Sequence, residues 1–153
     1  MAISVRPALE ADIDRLVDIE NAVFAGDRLS RRSLRRLVAS PSAVIILAEI
    51  DGNTIGYAVV LLRRGTLAAR LYSIAVAPEL AGRRVGAGLL EAAENIARSQ
   101  GRALMRLEVR TDNGPAIGLY QGAGYRIFGR KPGYYQDGED ALRMEKMLAE
   151  AVR

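Results

Sequence analysis

The sequence predicts an α/β (α+β) fold, on three observations. Short β-branched apolar runs alternate along the chain with longer segments that carry an apolar stripe at the 3.6-residue period. The chain is 153 residues long and 50% hydrophobic, the size and composition of one domain with a substantial core. No internal repeat or low-complexity linker divides it, so a single domain over 1–153 is expected.

Residues 2–7 read as a short strand, and a helical pattern follows from about Glu10 to Phe24 with Ile13, Leu16, Val17 and Ile19 roughly on one side. A second helix is expected from Ser30 to Ala39. Its Leu34, Leu37 and Val38 make the stripe, Arg31, Arg32, Arg35 and Arg36 lie mainly elsewhere on the wheel, and Ser40-Pro41 ends the pattern. The period then changes. Ala43 to Ile50 and Thr54 to Leu62 are apolar strands joined by Asp51-Gly52-Asn53, a hairpin connection, and Leu71 to Val76 is the next strand. From Gly86 the chain turns helical again, with Leu89, Leu90, Ala93, Ile96 and Ala97 on one face and Gly101 placed to end the helix. Ala103 to Arg110 alternates: Met105, Leu107 and Val109 point one way, Leu104, Arg106, Glu108 and Arg110 the other. A short helix from about Asn113 to Gln121 and strands at Tyr125 to Arg130 and Ala141 to Leu148 complete the order, with a polar loop between the last two.

Composition excludes whole classes of chemistry. Cysteine and histidine are both absent, so no disulfide framework, thiol nucleophile, Ser-His-Asp or Cys-His arrangement, or histidine-ligated zinc site can be assembled. Carboxylates alone remain as metal ligands, and no metal site is expected. Proton transfer falls to Glu, Asp, Tyr, Lys or water. The 22 basic residues against 18 acidic ones are nearly all Arg, whose planar fork of donors suits phosphate. Met1 to Pro7 meets charge and proline before any apolar run of useful length, and no stretch is long enough to span a bilayer. A cytoplasmic protein without a membrane partner is expected.

The segment Leu71-Tyr-Ser-Ile74-Ala75-Val76-Ala-Pro78 through Arg83-Arg84-Val85-Gly86-Ala87-Gly88 puts a strand, a basic glycine-containing loop and a helix N-terminus in succession. Glycines let backbone N–H groups approach a pyrophosphate, and the positive end of the helix favours its charge. An ordinary strand-to-helix turn is the bland alternative. No Gly-Lys-Ser/Thr follows and the Rossmann glycine spacing is missing, so the loop is neither of those nucleotide sites.

With its surroundings, Arg83-x-x-Gly86-x-Gly88 resembles the pyrophosphate motif of the GNAT superfamily of N-acetyltransferases. The stretch Leu107-Glu108-Val109-Arg110-Thr-Asp-Asn113-Gly-Pro-Ala116-Ile117-Gly-Leu119-Tyr120, with Gly124-Tyr125, is similar to the second half of that signature. The pattern is nearest the bacterial ribosomal-protein alanine N-acetyltransferases. The resemblance implies a mixed, mostly antiparallel central sheet of about six to seven strands flanked by about four helices, in keeping with the periodicity. It implies acetyl-coenzyme A as cofactor, the backbone of Ile74, Ala75 and Val76 aligning the pantetheine arm, and the residues Arg83, Arg84, Val85, Gly86, Ala87 and Gly88 holding the pyrophosphate. Arg84 stands where the family commonly has glycine, a substitution that restricts the loop or adds a phosphate contact.

The resemblance further assigns Glu108 as base, Tyr120 as acid and Asn113 as a cofactor contact. Amide formation needs a neutral amine, hence a base acting directly or through water, and an acid for the leaving thiolate. A tyrosine with a pKa near ~10 can lend a proton to a thiolate whose thiol titrates near ~8.5. The bland readings are an ion pair of Glu108 with Arg106 or Arg110, core packing of Tyr120 beside Leu119, and a helix N-cap at Asn113. The loop Lys131 to Asp140, with Tyr134 and Tyr135, is either the acceptor wall, as in the related family, or a solvated hairpin turn.

The implied acceptor is a primary amine. At pH 7 an α-amine with a pKa near ~8 is roughly a tenth neutral, against about 0.04 per cent for a lysine, so a protein or peptide N-terminus is the expected partner. A lysine side chain, a small-molecule amine, or a noncatalytic acyl-coenzyme A sensor on the same fold are the alternatives. Phe24 to Ser30 departs from the aromatic-proline-tryptophan pattern of the ribosomal enzymes, and the chain has no Trp. The basic run Arg28 to Arg36 is short and has no interleaved aromatic to stack a base, so it reads as a solvated helix face rather than a nucleic-acid surface.

Overall fold

How many faces of a strand are covered decides whether it reads as continuously apolar or as alternating, and this chain contains both kinds. A computed structural model describes residues 3–80 and 84–148. Strands β1 (Ser4–Pro7), β2 (Ala43–Ile50), β3 (Asn53–Leu61), β4 (Ala68–Val76), β5 (Leu104–Arg110), β6 (Arg126–Lys131) and β7 (Ala141–Met147) form one sheet in the order β1-β2-β3-β4-β5-β7-β6. Every pairing is antiparallel except β4 with β5. The helices are α1 (Ile13–Val23), α2 (Arg31–Ala39), α3 (Val85–Ser99) and α4 (Gly114–Gly122), with short 3-10 turns at Glu10–Asp12 and Pro78–Leu80.

One face of the sheet packs Ile45, Leu47, Tyr57, Val59 and Ala75 against Leu16 and Ile19 of α1 and Leu34 of α2. The opposite face packs Ile46, Ala58, Val60 and Leu71 against Leu89, Leu90, Ala93 and Ala97 of α3. Both faces of β2 and β3 are therefore buried, which explains their unbroken apolar sequences. Strand β5 buries only Met105, Leu107 and Val109, and its other face carries Arg106, Glu108 and Arg110. That polar face borders the site described below.

Local chemistry sets the helix boundaries. The Ser30 hydroxyl accepts the Ser33 N–H at 3.0 Å, a cap worth about 1 kcal/mol at the start of α2. The first helical segment is divided, because Asp12 accepts the Leu9 N–H at 2.8 Å and closes a 3-10 turn before α1 begins. Much of the basic run is occupied within the molecule: Arg28 donates to the Phe24 and Asn21 carbonyls, Arg31 pairs with Asp14, and Arg35 pairs with Glu10. Gly56 of β3 lies where a Cβ would come within 2.8 Å of the Ala75 carbonyl oxygen and 3.1 Å of Leu89 Cδ1, so a bare backbone is what lets β3, β4 and α3 close on one another. No helix among the described residues is long and apolar enough to cross a membrane.

The one parallel pair is short. Strand β4 meets β5 only through Ala68↔Leu104, Ala69↔Met105 and Arg70↔Arg106. Beyond that point β4 continues against β3 to Val76, while β5 continues against β7 to Arg110↔Ala141. The sheet thus opens into a wedge whose vertex is Arg70. A register shift between Val59↔Ser73 and Val60↔Leu71 leaves Tyr72 as an extra residue on β4, and a bulge of this kind bends its strand. The β4 strand also begins earlier than the apolar pattern indicates, at Ala68, and Arg70 belongs to it.

Candidate functional site

Two cavities open on the wedge, one of about 1000 Å³ and one of about 920 Å³. Both are bordered by Ile74, Asn113 and Ala116, so they meet across the gap between β4 and β5.

The first cavity lies on the α3 and α4 side, and its wall includes Ile74, Val76, Arg84, Gly86, Ala87 and Leu119. Its strand edge is unused by the sheet. Ala77 donates its N–H to the Ile55 carbonyl at 2.8 Å, and hydrogen-bonded pairs alternate along an antiparallel ladder. In the register Tyr57↔Ala75, Ala75 therefore spends its backbone groups on β3, while Ile74 and Val76 turn theirs toward the gap that β5 has left. Of the strand residues expected at a cofactor, Ile74 and Val76 border the cavity. Ala75 lies off it, 2% exposed in the core beneath α1 and α2.

The start of α3 supplies a second set of backbone donors. The first N–H groups of a helix have no intrahelical partner, and Arg84 at the N-cap makes no side-chain cap bond to them. Among the described residues no side chain caps the Val85, Gly86 and Ala87 amides, which lie at the positive end of the helix. The Val85 side chain is buried in the core, so only its backbone can serve. The Gly88 N–H is spent on the Arg84 carbonyl at 3.1 Å, and Gly88 lies off the cavity wall. Arg84 adopts φ 63°, the left-handed region that glycine enters freely, which is the physical reason a glycine suits this position. Arg83 lies outside the described residues. Asn113 does what its bland reading holds, accepting the Ala116 N–H at 3.2 Å to cap α4, and it also borders both cavities.

The second cavity lies on the bare face of β5. Glu108 and Tyr120 border it, together with Tyr72, Tyr134 and Tyr135. The Glu108 side chain is only 8% exposed, and Arg106 and Arg110, its partners in the bland reading, do not pair with it. Arg70 Nη2 lies 2.6 Å from Oε1, and Arg143 Nε lies 3.5 Å from Oε2. Arg106 instead pairs with Glu145, and Arg110 with Asp112 and Asp137. The difference is one of neighbouring strands: Arg143 stands opposite Glu108 on β7, and Arg70 reaches it across the vertex of the wedge. Burial alone would lower the Arg70 pKa, but the charge of Glu108 and then Tyr134 outweigh it, and the net shift is upward.

Tyr120 combines packing with exposure to the cavity. It is 5% exposed, and its ring meets Tyr125 edge-on at 5.8 Å. Burial, and next the neighbouring Tyr135, raise its pKa well above the usual phenol value, so it holds its proton throughout the neutral range. The tyrosine pair from the loop between β6 and β7 packs edge-on at 4.9 Å. Tyr134 accepts a hydrogen bond from Arg70 Nη2 at 2.8 Å, and Tyr135 lies beneath the Arg110 guanidinium at 5.0 Å. Burial pushes the Tyr135 phenol up to about 12.

Some residues of the site carry no sequence signal. Arg70 and Arg143 are found only through the strand pairings. Glu20 of α1, 2% exposed, accepts hydrogen bonds from the Tyr57 hydroxyl and, at 2.8 Å, from the Leu29 N–H, and it borders the second cavity.

A family model described as "Acetyltransferase (GNAT) family" matches residues 13–125. The chain is 31% identical to the "N-alpha-acetyltransferase RimI" of Mycobacterium tuberculosis, a match that covers 94% of this chain and 92% of that protein. The fold superposes on the ribosomal-protein-S18-alanine N-acetyltransferase from Escherichia coli with a TM-score of 0.88 at 24% identity, covering 99% of this chain and 97% of that one. It also matches the paia N-acetyltransferase from Thermoplasma acidophilum, solved in complex with coenzyme A, with a TM-score of 0.81 at 22% identity over 96% and 99% of the two chains.

Proposed function

The chain belongs to the acetyltransferase (GNAT) family and is an N-acetyltransferase; from that premise we propose that it moves the acetyl group of acetyl-coenzyme A onto the N-terminal α-amine of a protein or peptide. The observation that carries this reading is the meeting of two cavities at Ile74, Asn113 and Ala116, one with donors for an extended anionic cofactor and one with a carboxylate and a phenol. The fit of the first cavity to coenzyme A rests on this chain's own groups. The free edge of Ile74 and Val76 matches an amide-bearing pantetheine arm, and the uncapped amides at Val85, Gly86 and Ala87 match a pyrophosphate. A Cβ at Gly86 would project to within 3.4 Å of Leu119 Cδ2, so the bare backbone keeps that wall open.

Acetyl-coenzyme A supplies an acyl carbon joined to a thiolate leaving group. Glu108 takes a proton from the acceptor ammonium through water and frees the nitrogen lone pair to bond that carbon, while Arg70 and Arg143 hold the carboxylate in one position. Tyr120 donates its phenol proton to the sulfur as the carbon–sulfur bond breaks, and it is reprotonated through water by the second proton that the nitrogen sheds as the amide forms. In balance, one nitrogen–carbon bond forms, one carbon–sulfur bond breaks and one proton is released. The α-amine is favoured as acceptor because about a tenth of it is neutral at pH 7, and the N-alpha-acetyltransferase relative supports the same class.

The test is a thiol-release assay with acetyl-coenzyme A and a panel of peptide N-termini, N-blocked lysine peptides, polyamines and aminoglycosides. Turnover concentrated on peptide N-termini is expected. Turnover confined to another amine would replace the acceptor, and cofactor binding without turnover on any amine would make the chain a sensor.

A further inference from the structure

The face of the sheet that α1 and α2 cover along β2, β3 and β4 runs on over β5, β7 and β6, where charged residues replace the apolar ones. Arg106 and Glu108 of β5 stand opposite Glu145 and Arg143 of β7, and Arg126 of β6 stands opposite Glu145, so these five share one face. Its carboxylates lie beneath and its guanidiniums outside. Glu108 and Glu145 are 8% and 9% exposed, whereas Arg106 and Arg126 are 44% and 71% exposed. One Glu145 carboxylate is shared by Arg106 Nε at 3.1 Å and Arg126 Nη2 at 2.6 Å, and one Glu108 carboxylate is shared by Arg70 and Arg143. Each carboxylate therefore answers two cations, and the surplus positive charge is on the solvent side. Phe128 lies 5.0 and 4.9 Å from the Arg106 and Arg143 guanidiniums, so its ring is already engaged by cations. A single-stranded nucleic acid gains much of its binding from stacking on aromatic rings, and this face favours carboxylates instead. The face is also continuous with the second cavity: Arg70 and Glu108 border that cavity, and Arg106 stands two residues, about 7 Å, along β5 from Glu108.

We infer that this face of β5, β7 and β6 is a docking surface for an acidic segment of the acceptor polypeptide, seated on Arg106 and Arg126 outside the acceptor cavity. The inference rests on the acetyl-transfer reading and adds to it a point of recognition remote from the reacting amine. Arg106 and Arg126 act on binding and leave the chemistry to Glu108 and Tyr120, while Glu145 holds the two guanidiniums side by side. Both cations are largely exposed, so their attraction is screened over a Debye length of about 10 Å at 0.1 M salt, and docking is strongest at low ionic strength.

Binding and turnover are read separately. A fluorescent peptide with a blocked N-terminus and an acidic run, and its counterpart with Asn and Gln in that run, are titrated by anisotropy against wild type, R126Q, R106Q/R126Q/E145Q and R106K/R126K. The triple variant removes the buried carboxylate together with its cations, so no charge is orphaned, and the lysine variant keeps the charge. Acceptor peptides that share their first residues over about 20 Å of extended chain, followed by the acidic or the amide run, are compared by KM and kcat. At low ionic strength wild type is expected to bind the acidic peptide about fivefold more tightly than the amide peptide, with a similar ratio in acceptor KM and little change in kcat. That advantage should fall in R126Q, disappear in the triple variant, persist in the lysine variant and shrink as salt is added. Equal affinity of wild type for the two peptides overturns the proposal, as does an acidic advantage that survives undiminished in R126Q and in the folded triple variant. A single-stranded RNA that binds the same arginines more tightly than the acidic peptide overturns the polypeptide occupant. Arginine-dependent binding of the acidic peptide with no N-terminus acetylated upholds the surface and removes the N-terminal reading.

Discussion

Arg70 Nη2 lies 2.6 Å from Glu108 Oε1, joining the last residue of β4 that pairs with β5 to the carboxylate on the opposite arm of the wedge. The same guanidinium nitrogen donates to Tyr134 at 2.8 Å. One side chain therefore links the proposed base to the acceptor-side loop, and removing it should loosen both. Arg70→Met is expected to lower kcat by about 10- to 100-fold, with Arg70→Lys intermediate because an ammonium keeps the charge and loses the fork. Coenzyme A affinity, measured by calorimetry, should stay within a few fold of wild type, since Arg70 borders only the second cavity.

Tyr120→Phe keeps the edge-on contact with Tyr125 and removes only the hydroxyl. Turnover should fall by about 100-fold, the scale of general acid catalysis, while the melting temperature changes little. Full steady-state activity would leave Tyr120 as a packing residue.

Gly86→Val tests the cofactor wall. A branched side chain there grows from a Cβ already 3.4 Å from Leu119 and 4.0 Å from Val76, into the space between the free strand edge and the helix start. Coenzyme A binding should weaken by at least about tenfold, roughly 1.4 kcal/mol, with circular dichroism unchanged.

Gly56→Ala probes the fold that holds the wedge. Its Cβ would stand 2.8 Å from a backbone oxygen, where no side-chain rotation can relieve the contact. A loss of about 1–3 kcal/mol in denaturant unfolding is expected, the usual scale of overpacking.

Alkaline pH should destabilise the fold through its buried phenols. Burial is the first cause of the raised pKa values of Tyr120, Tyr125 and Tyr135. Above the ordinary tyrosine value near ~10 the unfolded chain loses these protons while the folded chain keeps them, so the unfolded state binds fewer protons and stability falls as pH rises. The contribution is complete below pH ~10 and is lost progressively above it, and Tyr125→Phe should flatten that decline in thermal melts between pH 9 and about 11.

Periodicity located the strands and helices because burial of one or two faces writes itself directly into the pattern, as the alternation of Met105, Leu107 and Val109 against Arg106 and Glu108 illustrates. The segment proposed to meet the pyrophosphate stands out in the sequence for the same local reason: strand edge, glycine and helix start are contiguous in the chain. Pairings between distant segments were not. The Glu108 partners come from β4 and β7, and Asp27 meets Gln136 across 109 positions, a contact that no spacing rule encodes. The boundary at Leu71 had a local cause as well, since Arg70 interrupts the apolar run although it belongs to β4. Resemblance singled out Glu108 and Tyr120, but what holds Glu108 in place became visible only in the folded sheet.

The most direct measurement for the proposed mechanism is kcat/KM against pH for wild type and Glu108→Gln on one peptide acceptor whose α-amine titrates within the range where both proteins stay folded. If Glu108 removes the ammonium proton through water, the deficit of the variant is largest where the acceptor is still charged. It then shrinks as the amine loses its proton in solution, around pH ~8 for an N-terminus. Coenzyme A affinity should remain close to wild type, because Glu108 borders the acceptor cavity and not the cofactor cavity. A deficit that stays constant across the whole range would contradict the base role and leave Glu108 as a group that only holds Arg70 and Arg143 in place.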